Sequence, residues 1–187
     1  MTEVWLIRHA ETEWSKAKRH TGRTDVPLTD DGRKAAGDLR ARLGDRSWAA
    51  VWTSPLFRAS ETCALAGLGA WAVPRAELLE WDYGDYEGVT TAEIRRARAD
   101  WYLWRDGCPG GESPSDVAAR CDRLIADLTA VDGDVALFAH GHVLRMLAAR
   151  WIELGAEGGG RLALSTGAIS VLGSEREVRV IWRWNDV

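Results

Sequence analysis

The stretch VWLIRHAE, Val4 to Glu11, opens apolar and ends on an arginine–histidine pair followed by polar residues. A short apolar run bounded in this way reads as a buried strand. Val4 to Arg8 is therefore expected to cross a sheet and leave His9 at its carboxyl end. Working outward, Asp134 to Ala139 (DVALFA) repeats the pattern and again hands over to histidine, in His140-Gly141-His142. Ala49 to Thr53, Trp71 to Pro74, Ile169 to Leu172 and Val178 to Trp182 read as further strands. Helices fall between them. Thr29 is placed as the N-cap of a helix to about Leu43. Ser54-Pro55 reads as a cap with proline in the first helical position, for a helix to about Ala66. Thr90 and Glu93 form a capping-box pattern ahead of Ile94, and Ser113-Pro114 precedes a helix from Ser115 to about Val131. Leu144, Leu147 and Ala148 mark a helix after His142. Strands alternating with helices predict an α/β chain, one domain over residues 1–187 with a mostly parallel sheet flanked by helices on both faces. Gly155 to Gly160 follows a helix rather than a strand, lacks the context of a dinucleotide loop, and reads as a flexible surface loop.

A chain of 187 residues can bury a substantial core. Its 24 basic and 28 acidic side chains leave a net charge of −4. That balance argues against a nucleic-acid partner, which would require a basic face. A phosphorylated ligand would need positive groups gathered locally. Cys63, Cys108 and Cys121 form no CxxC pair and read as reduced thiols. The N-terminus shows no basic leader, and no stretch approaches the roughly 20 apolar residues of a membrane span. A cytoplasmic protein with no membrane partner is expected. Eleven tryptophans stand against two phenylalanines. Trp5, Trp52, Trp182 and Trp184 lie in strand-like runs and are assigned to the core or its flanks rather than to a stacking platform. Exposed tryptophans would suit a homodimer.

In open α/β sheets the ligand crevice lies beyond the carboxyl ends of the strands. Three strand ends deliver Arg8, His9, Arg58 and His140 toward one such crevice, with Glu80 and Glu87 on an irregular acidic and aromatic segment that could close over it. These residue types suit phosphoryl transfer. Arginines offer planar donor pairs to phosphate oxygens. An imidazole can attack phosphorus when its other nitrogen is held by a hydrogen bond. A carboxyl such as that of Glu80 can protonate a leaving alkoxide. His140-Gly141-His142 could instead bind a metal, but no Asp, Glu or Cys ligands lie at matching spacing, and no metal or other cofactor is expected.

The segments LIRHAETEW, HTGRTDVPLTDDG, TSPLFRASETC, EWDYGDYEG, WRDGCPGGES and FAHGHVLR run in colinear order across about residues 4 to 172. Together they resemble the histidine phosphatase superfamily, the phosphoglycerate-mutase-like family. Ala10 stands where the family usually has glycine, a change of one methyl group. The resemblance implies that His9 is the phosphorylated nucleophile, that Arg8, Arg58 and His140 form the phosphate pocket, and that Glu80 is the proton donor. It places Ser15 where many members carry an asparagine that contacts phosphate, and Thr21 and Gly22 on the loop lining the substrate entrance. Gly141 and His142 join the substrate-binding groups. Glu87 is expected to brace its loop, and Glu112 to tie the WRDGCPGGES segment to Arg120 or a neighbour. The motifs are similar to a subgroup of sedoheptulose-bisphosphatase-like enzymes, actinobacterial acid phosphatases and glucosyl-3-phosphoglycerate phosphatases. The implied activity is metal-independent hydrolysis of a small phosphorylated metabolite. Mutase members carry sheltering insertions that this short chain lacks, so transfer of the mutase type ranks second. A phospholigand-binding protein without turnover ranks third, because the catalytic set is intact.

Overall fold

Side chains alternate across β1 (Val4–Arg8) in the computed structural model, which describes residues 3–187. Val4 and Leu6 enter one hydrophobic core, while Trp5 and Ile7 enter another. The chain continues through α1 (Glu13–Lys16), α2 (Asp30–Leu43), β2 (Ala50–Thr53), α3 (Phe57–Leu65), β3 (Ala72–Pro74), α4 (Thr91–Ala97) and α5 (Leu103–Asp106). It closes with α6 (Pro114–Thr129), β4 (Val135–Ala139), α7 (Gly141–Trp151), β5 (Ile169–Glu175) and β6 (Val178–Asp186). Strand β4 repeats the alternation: Val135, Leu137 and Ala139 join the first core, Ala136 and Phe138 the second. The first core is completed by α6 and α7, the second by α2 and α3. In α6 the buried Val117, Cys121, Leu124 and Leu128 recur at helical spacing, forming the stripe that a surface helix lays on a sheet. Period 2 in the strands and period 3.6 in the helices thus give one sheet covered on both faces.

The six strands lie in the order β3-β2-β4-β1-β5-β6. The first four are mutually parallel, whereas β5 and β6 run antiparallel to their neighbours. The register pairs Thr53 with Phe138 and Arg8 with Ala139. The carboxyl ends of β2, β4 and β1 consequently stand side by side. Ser54, His140 and His9, the first residues beyond those three strands, share one rim.

At four places the structure departs from the expected local pattern. Helix α3 begins at Phe57 with Leu56 as its N-cap, so Pro55 lies outside it. The Ser54 hydroxyl is engaged by His140, and the Asp25 carboxylate accepts from the Phe57 N–H at 2.9 Å in its place. The glycine-rich segment forms a 3-10 turn, Ala156–Arg161, with Gly158 and Gly159 buried against α7 and Trp104. Trp5 and Trp52 are buried as expected, but Trp182 is half exposed, because β6 is an edge strand that only β5 covers. Strands β5 and β6 also run on to Glu175 and Asp186.

Candidate active site

His9 leaves β1 with its backbone N–H on the Ala139 carbonyl, 2.9 Å away, which extends the β1–β4 ladder by one bond. Its Nδ1 lies 2.7 Å from the Ala10 carbonyl. A carbonyl only accepts, so Nδ1 carries the proton and Nε2 keeps its lone pair. Burial, with the Arg8 and Arg58 charges adding to it, pushes His9 well below the ordinary histidine range. The ring is a neutral imidazole with one fixed nucleophilic nitrogen. Beside it, Arg8 donates through Nη1 to the Leu164 carbonyl, while its buried Nε has no partner among the described residues. Gly141 opens α7 against this guanidinium, where a Cβ would stand 3.2 Å from Arg8 Nε.

Arg58 projects from the first turn of α3 and is fully buried. Its Nη1 donates to the Thr24 carbonyl and its Nη2 to those of Thr21 and Gly22, at 2.9 to 3.1 Å. Its Nε donates to Nδ1 of His140 at 3.1 Å. A guanidinium N–H cannot accept, so His140 carries its proton on Nε2, which meets Ser54 Oγ at 2.7 Å. Burial and the Arg58 charge hold His140 well below the ordinary histidine range, consistent with this neutral tautomer. The His9 and His140 rings lie 5.2 Å apart between centroids.

Glu80 serves as the cap that α7 lacks from its own N-cap residue, His140. Oε1 accepts from the Trp81 and Val143 N–H groups at 2.9 Å, and Oε2 accepts from the His142 N–H at 3.0 Å. The carboxylate is buried, and Oε2 is the oxygen with the fewer donors. His142 packs among Trp81, Tyr83, Trp104 and His20, and its Nδ1 meets the Tyr83 hydroxyl at 2.6 Å. Burial raises Tyr83 well above the ordinary phenol range, so the phenol keeps its proton and donates it.

The segment after α1 is held from both sides. Its carbonyls grip Arg58, while the Glu87 carboxylate accepts from the Gly22 and Thr24 N–H groups at 2.9 to 3.0 Å. Gly22 is required there, since a Cβ would fall 2.6 Å from both Glu87 Oε2 and the Trp81 carbonyl. Glu112 pairs with the buried Arg120 through both of its oxygens. The two glutamates thus occupy the bracing positions expected of them. Ser15 is placed differently. Its hydroxyl accepts from the Thr12 N–H and donates to the Thr12 carbonyl, both at 2.9 Å, in the capping box of α1. To donate to a phosphate it would first have to leave that cap.

The rim therefore gathers Arg8, His9, Arg58, Glu80, Gly141 and His140, with Thr21, Gly22 and His142 beside them. Sequence reasoning missed Ser54, Asp25 and Tyr83 as members. Ser54 is visible at a strand end, but next to Pro55 it reads as a helix cap. Among the described residues no group of three or more His, Cys, Asp or Glu side chains is arranged to hold a metal ion, and no helix is long and apolar enough to cross a membrane.

The sequence model of the histidine phosphatase superfamily (branch 1) matches residues 4–187. The chain is 43% identical to an acid phosphatase of Mycobacterium tuberculosis, over 93% of this chain and 87% of that one. It is 36% identical to the sedoheptulose 1,7-bisphosphatase of Saccharomyces cerevisiae, over 81% of this chain and 68% of the yeast protein. A solved structure of a Mycobacterium tuberculosis open reading frame product superposes with a TM-score of 0.94 at 39% identity, covering 100% and 98% of the two chains. The mycobacterial glucosyl-3-phosphoglycerate phosphatase, solved with VO3, gives 0.88 at 28% identity over 99% of each chain. With a buried strand that ends at Arg8 and hands over to His9, and a family model that matches residues 4–187, the chain belongs to the histidine phosphatase superfamily.

Proposed function

We propose that this phosphatase hydrolyses a small phosphorylated metabolite, a sugar phosphate or phosphoglycerate derivative, through a phosphohistidine at His9 and without a metal ion. The observation that carries the proposal is the single tautomer of His9. Nδ1–H is tied to the Ala10 carbonyl, which leaves Nε2 with its lone pair, and the preceding residue, Arg8, has an unpartnered Nε. In the first step Nε2 bonds to phosphorus as the ester P–O bond breaks. The leaving alkoxide takes a proton from Glu80, which is then a carboxylate. In the second step Glu80 takes a proton from water, the resulting hydroxide attacks phosphorus, and the P–N bond breaks to restore His9. The Arg8 guanidinium supplies charge to the equatorial oxygens, where other phosphoryl-transfer sites use magnesium. The substrate class is supported by relatives named for a sugar bisphosphate and for glucosyl-3-phosphoglycerate. Thr21, Gly22 and His142, at the edge of the rim, are the groups that would meet the remainder of such a substrate.

A phosphoramidate survives base and decays in acid, so labelled substrate quenched in alkali should leave phosphate on the peptide carrying His9. His9→Ala should abolish both label and turnover. Stable label on His140 or His142, with His9 unmodified, would overturn the assignment. Dialysis against EDTA should leave kcat unchanged, and loss of activity that Mg²⁺ or Zn²⁺ restores would contradict the charge role given to arginine.

A further inference from the structure

Among the described residues the Arg8 guanidinium makes a single hydrogen bond, from Nη1 to the Leu164 carbonyl. A charged group tethered at one atom is only as well placed as that atom, so whatever fixes Leu164 fixes Arg8. Leu164 lies between the 3-10 turn and β5, in neither helix nor strand. The Gly167 N–H ties one end of this segment to the Arg8 and His9 carbonyls, at 3.2 Å each. The peptide groups on either side of Leu164 are held by β6. The Trp184 indole donates to the Ala163 carbonyl, and Asn185 Oδ1 accepts from the Ser165 N–H at 2.6 Å. Consecutive side chains of a regular strand point to opposite faces, so Trp184 and Asn185 could not both reach one segment from a flat strand. A bulge removes the difficulty. Ile169 pairs with Asp186 and Val171 with Arg183, so Ser170 alone stands opposite both Trp184 and Asn185. Asn185 takes a φ of +57°, in the left-handed region that asparagine tolerates better than most residues. Its N–H goes to Ser170 Oγ at 3.0 Å. Bulges of this kind re-aim side chains beside functional sites.

We propose that Asn185 is a positioning residue for the phosphoryl site. Together with Trp184 it clamps the peptide groups around Leu164, so that the Leu164 carbonyl orients the Arg8 guanidinium toward the phosphoryl group. The bulge at the end of β6 is the device that turns both side chains onto the same segment. An edge strand with no residue of its own on the rim thereby sets the geometry of the charge that faces the substrate. The proposal rests on the charge role given to Arg8 above and deepens it.

The test separates the amide from the backbone. Glycine accepts the left-handed conformation, so Asn185→Gly removes the side chain without adding strain. It should lower kcat/KM on p-nitrophenyl phosphate by about 5- to 10-fold, the scale of one hydrogen bond. Inhibition by inorganic phosphate and by orthovanadate should weaken by a similar factor, because Arg8 faces the phosphoryl oxygens in both cases. Asn185→Asp keeps an acceptor oxygen for the Ser165 N–H and should restore wild-type values. Unchanged kinetics in Asn185→Gly, or an equal loss in Asn185→Asp, would overturn the proposal. If Asn185→Gly does not fold, Trp184→Phe, which lacks the indole donor, should show the same loss. A readout independent of activity is the nitrogen NMR spectrum of the arginine side chains, with the Arg8 signals identified by their absence from Arg8→Lys. The bond to Leu164 slows rotation about Nε–Cζ, so wild-type Nη1 and Nη2 should give separate signals that merge in Asn185→Gly. Signals that stay separate in the variant, or are already merged in the wild type, would also overturn the proposal. The phosphohistidine reading fails separately, through an alkaline quench of the wild-type protein that leaves His9 unlabelled.

Discussion

Glu80 shows how a single carboxyl can be both structural and chemical. Its two oxygens cap α7 through the Val143 and His142 N–H groups, so the residue that would move a proton also fixes the helix that begins after His140. Glu80→Gln keeps the volume and one carbonyl oxygen for the cap while removing the proton. If Glu80 is the general acid, the loss on an alkyl phosphate should be on the order of 10²–10⁴-fold. p-Nitrophenyl phosphate, whose leaving group departs unaided, should lose far less. Comparing kcat on the two substrates checks this, and equal losses would remove Glu80 from the role. At this scale the sequence made Arg8, His9 and His140 legible, because each lies at or just beyond a strand end, and Arg58, because it lies at the start of the helix that follows β2. The bonds that give them their tautomers were not legible. Arg58 and His140 are 82 residues apart and Tyr83 and His142 are 59 apart, and a chain read in order carries no signal for such pairings. Only the resemblance places Ser15 at the phosphate, and its hydroxyl is taken up in the capping box of α1.

Caps explain which helix boundaries could be read from sequence. Thr29, Thr90 and Ser113 each accept from a backbone N–H of the helix that they precede, so the partners lie within three residues and the spacing reveals them. The start of α3 could not be read, because its cap comes from Asp25, 32 residues upstream. That distant cap also links α3 to the loop that grips Arg58, with Asp25 Oδ1 3.9 Å from Arg58 Nη1. Two cap removals should therefore differ in kind. Ser113→Ala should cost about 1 kcal/mol of stability, typical for an N-cap, and leave kcat/KM unchanged. Asp25→Ala should cost a similar amount in urea unfolding and also lower kcat/KM, since Arg58 and the Thr21–Thr24 carbonyls lose a common anchor. Equal catalytic effects from the two variants would show that Asp25 is only a cap. The glycine-rich segment teaches the opposite lesson. Gly159 is buried because a Cβ there would fall 2.3 Å from the Trp104 ring, a packing constraint that composition presents as flexibility.

Over the whole molecule the alternation in β1 and β4 made the two-faced sheet legible, whereas the exposure of Trp182 depended on which strand became an edge. The same burial that builds the core also sets the response to acid. Burial is the largest cause holding His9, His140 and His142 well below the ordinary histidine range, and it brings His20 down to about 4. In the unfolded chain all four should titrate near 6.5. Below that pH the unfolded state binds protons that the folded state refuses, so stability falls as pH falls. Each histidine contributes a slope of up to about 1.4 kcal/mol per pH unit. For His20 the loss runs from about pH 6.5 down to its folded value near 4, and His9, His140 and His142, also held down by burial, add to it as pH falls below 6.5. Four such groups steepen the fall below pH 6.5, against a total of only roughly 5–15 kcal/mol for an ordinary domain. Thermal melts at pH 7.5, 6.5, 5.5 and 4.5 should therefore show little change between the first two and a steepening drop in Tm thereafter. His20→Gln should flatten the slope by one proton between pH 6.5 and 4, because glutamine does not titrate. A Tm that holds constant from pH 7.5 to 4.5 would mean that the histidines accept protons inside the fold, and the neutral nucleophile at His9 would lose its physical basis.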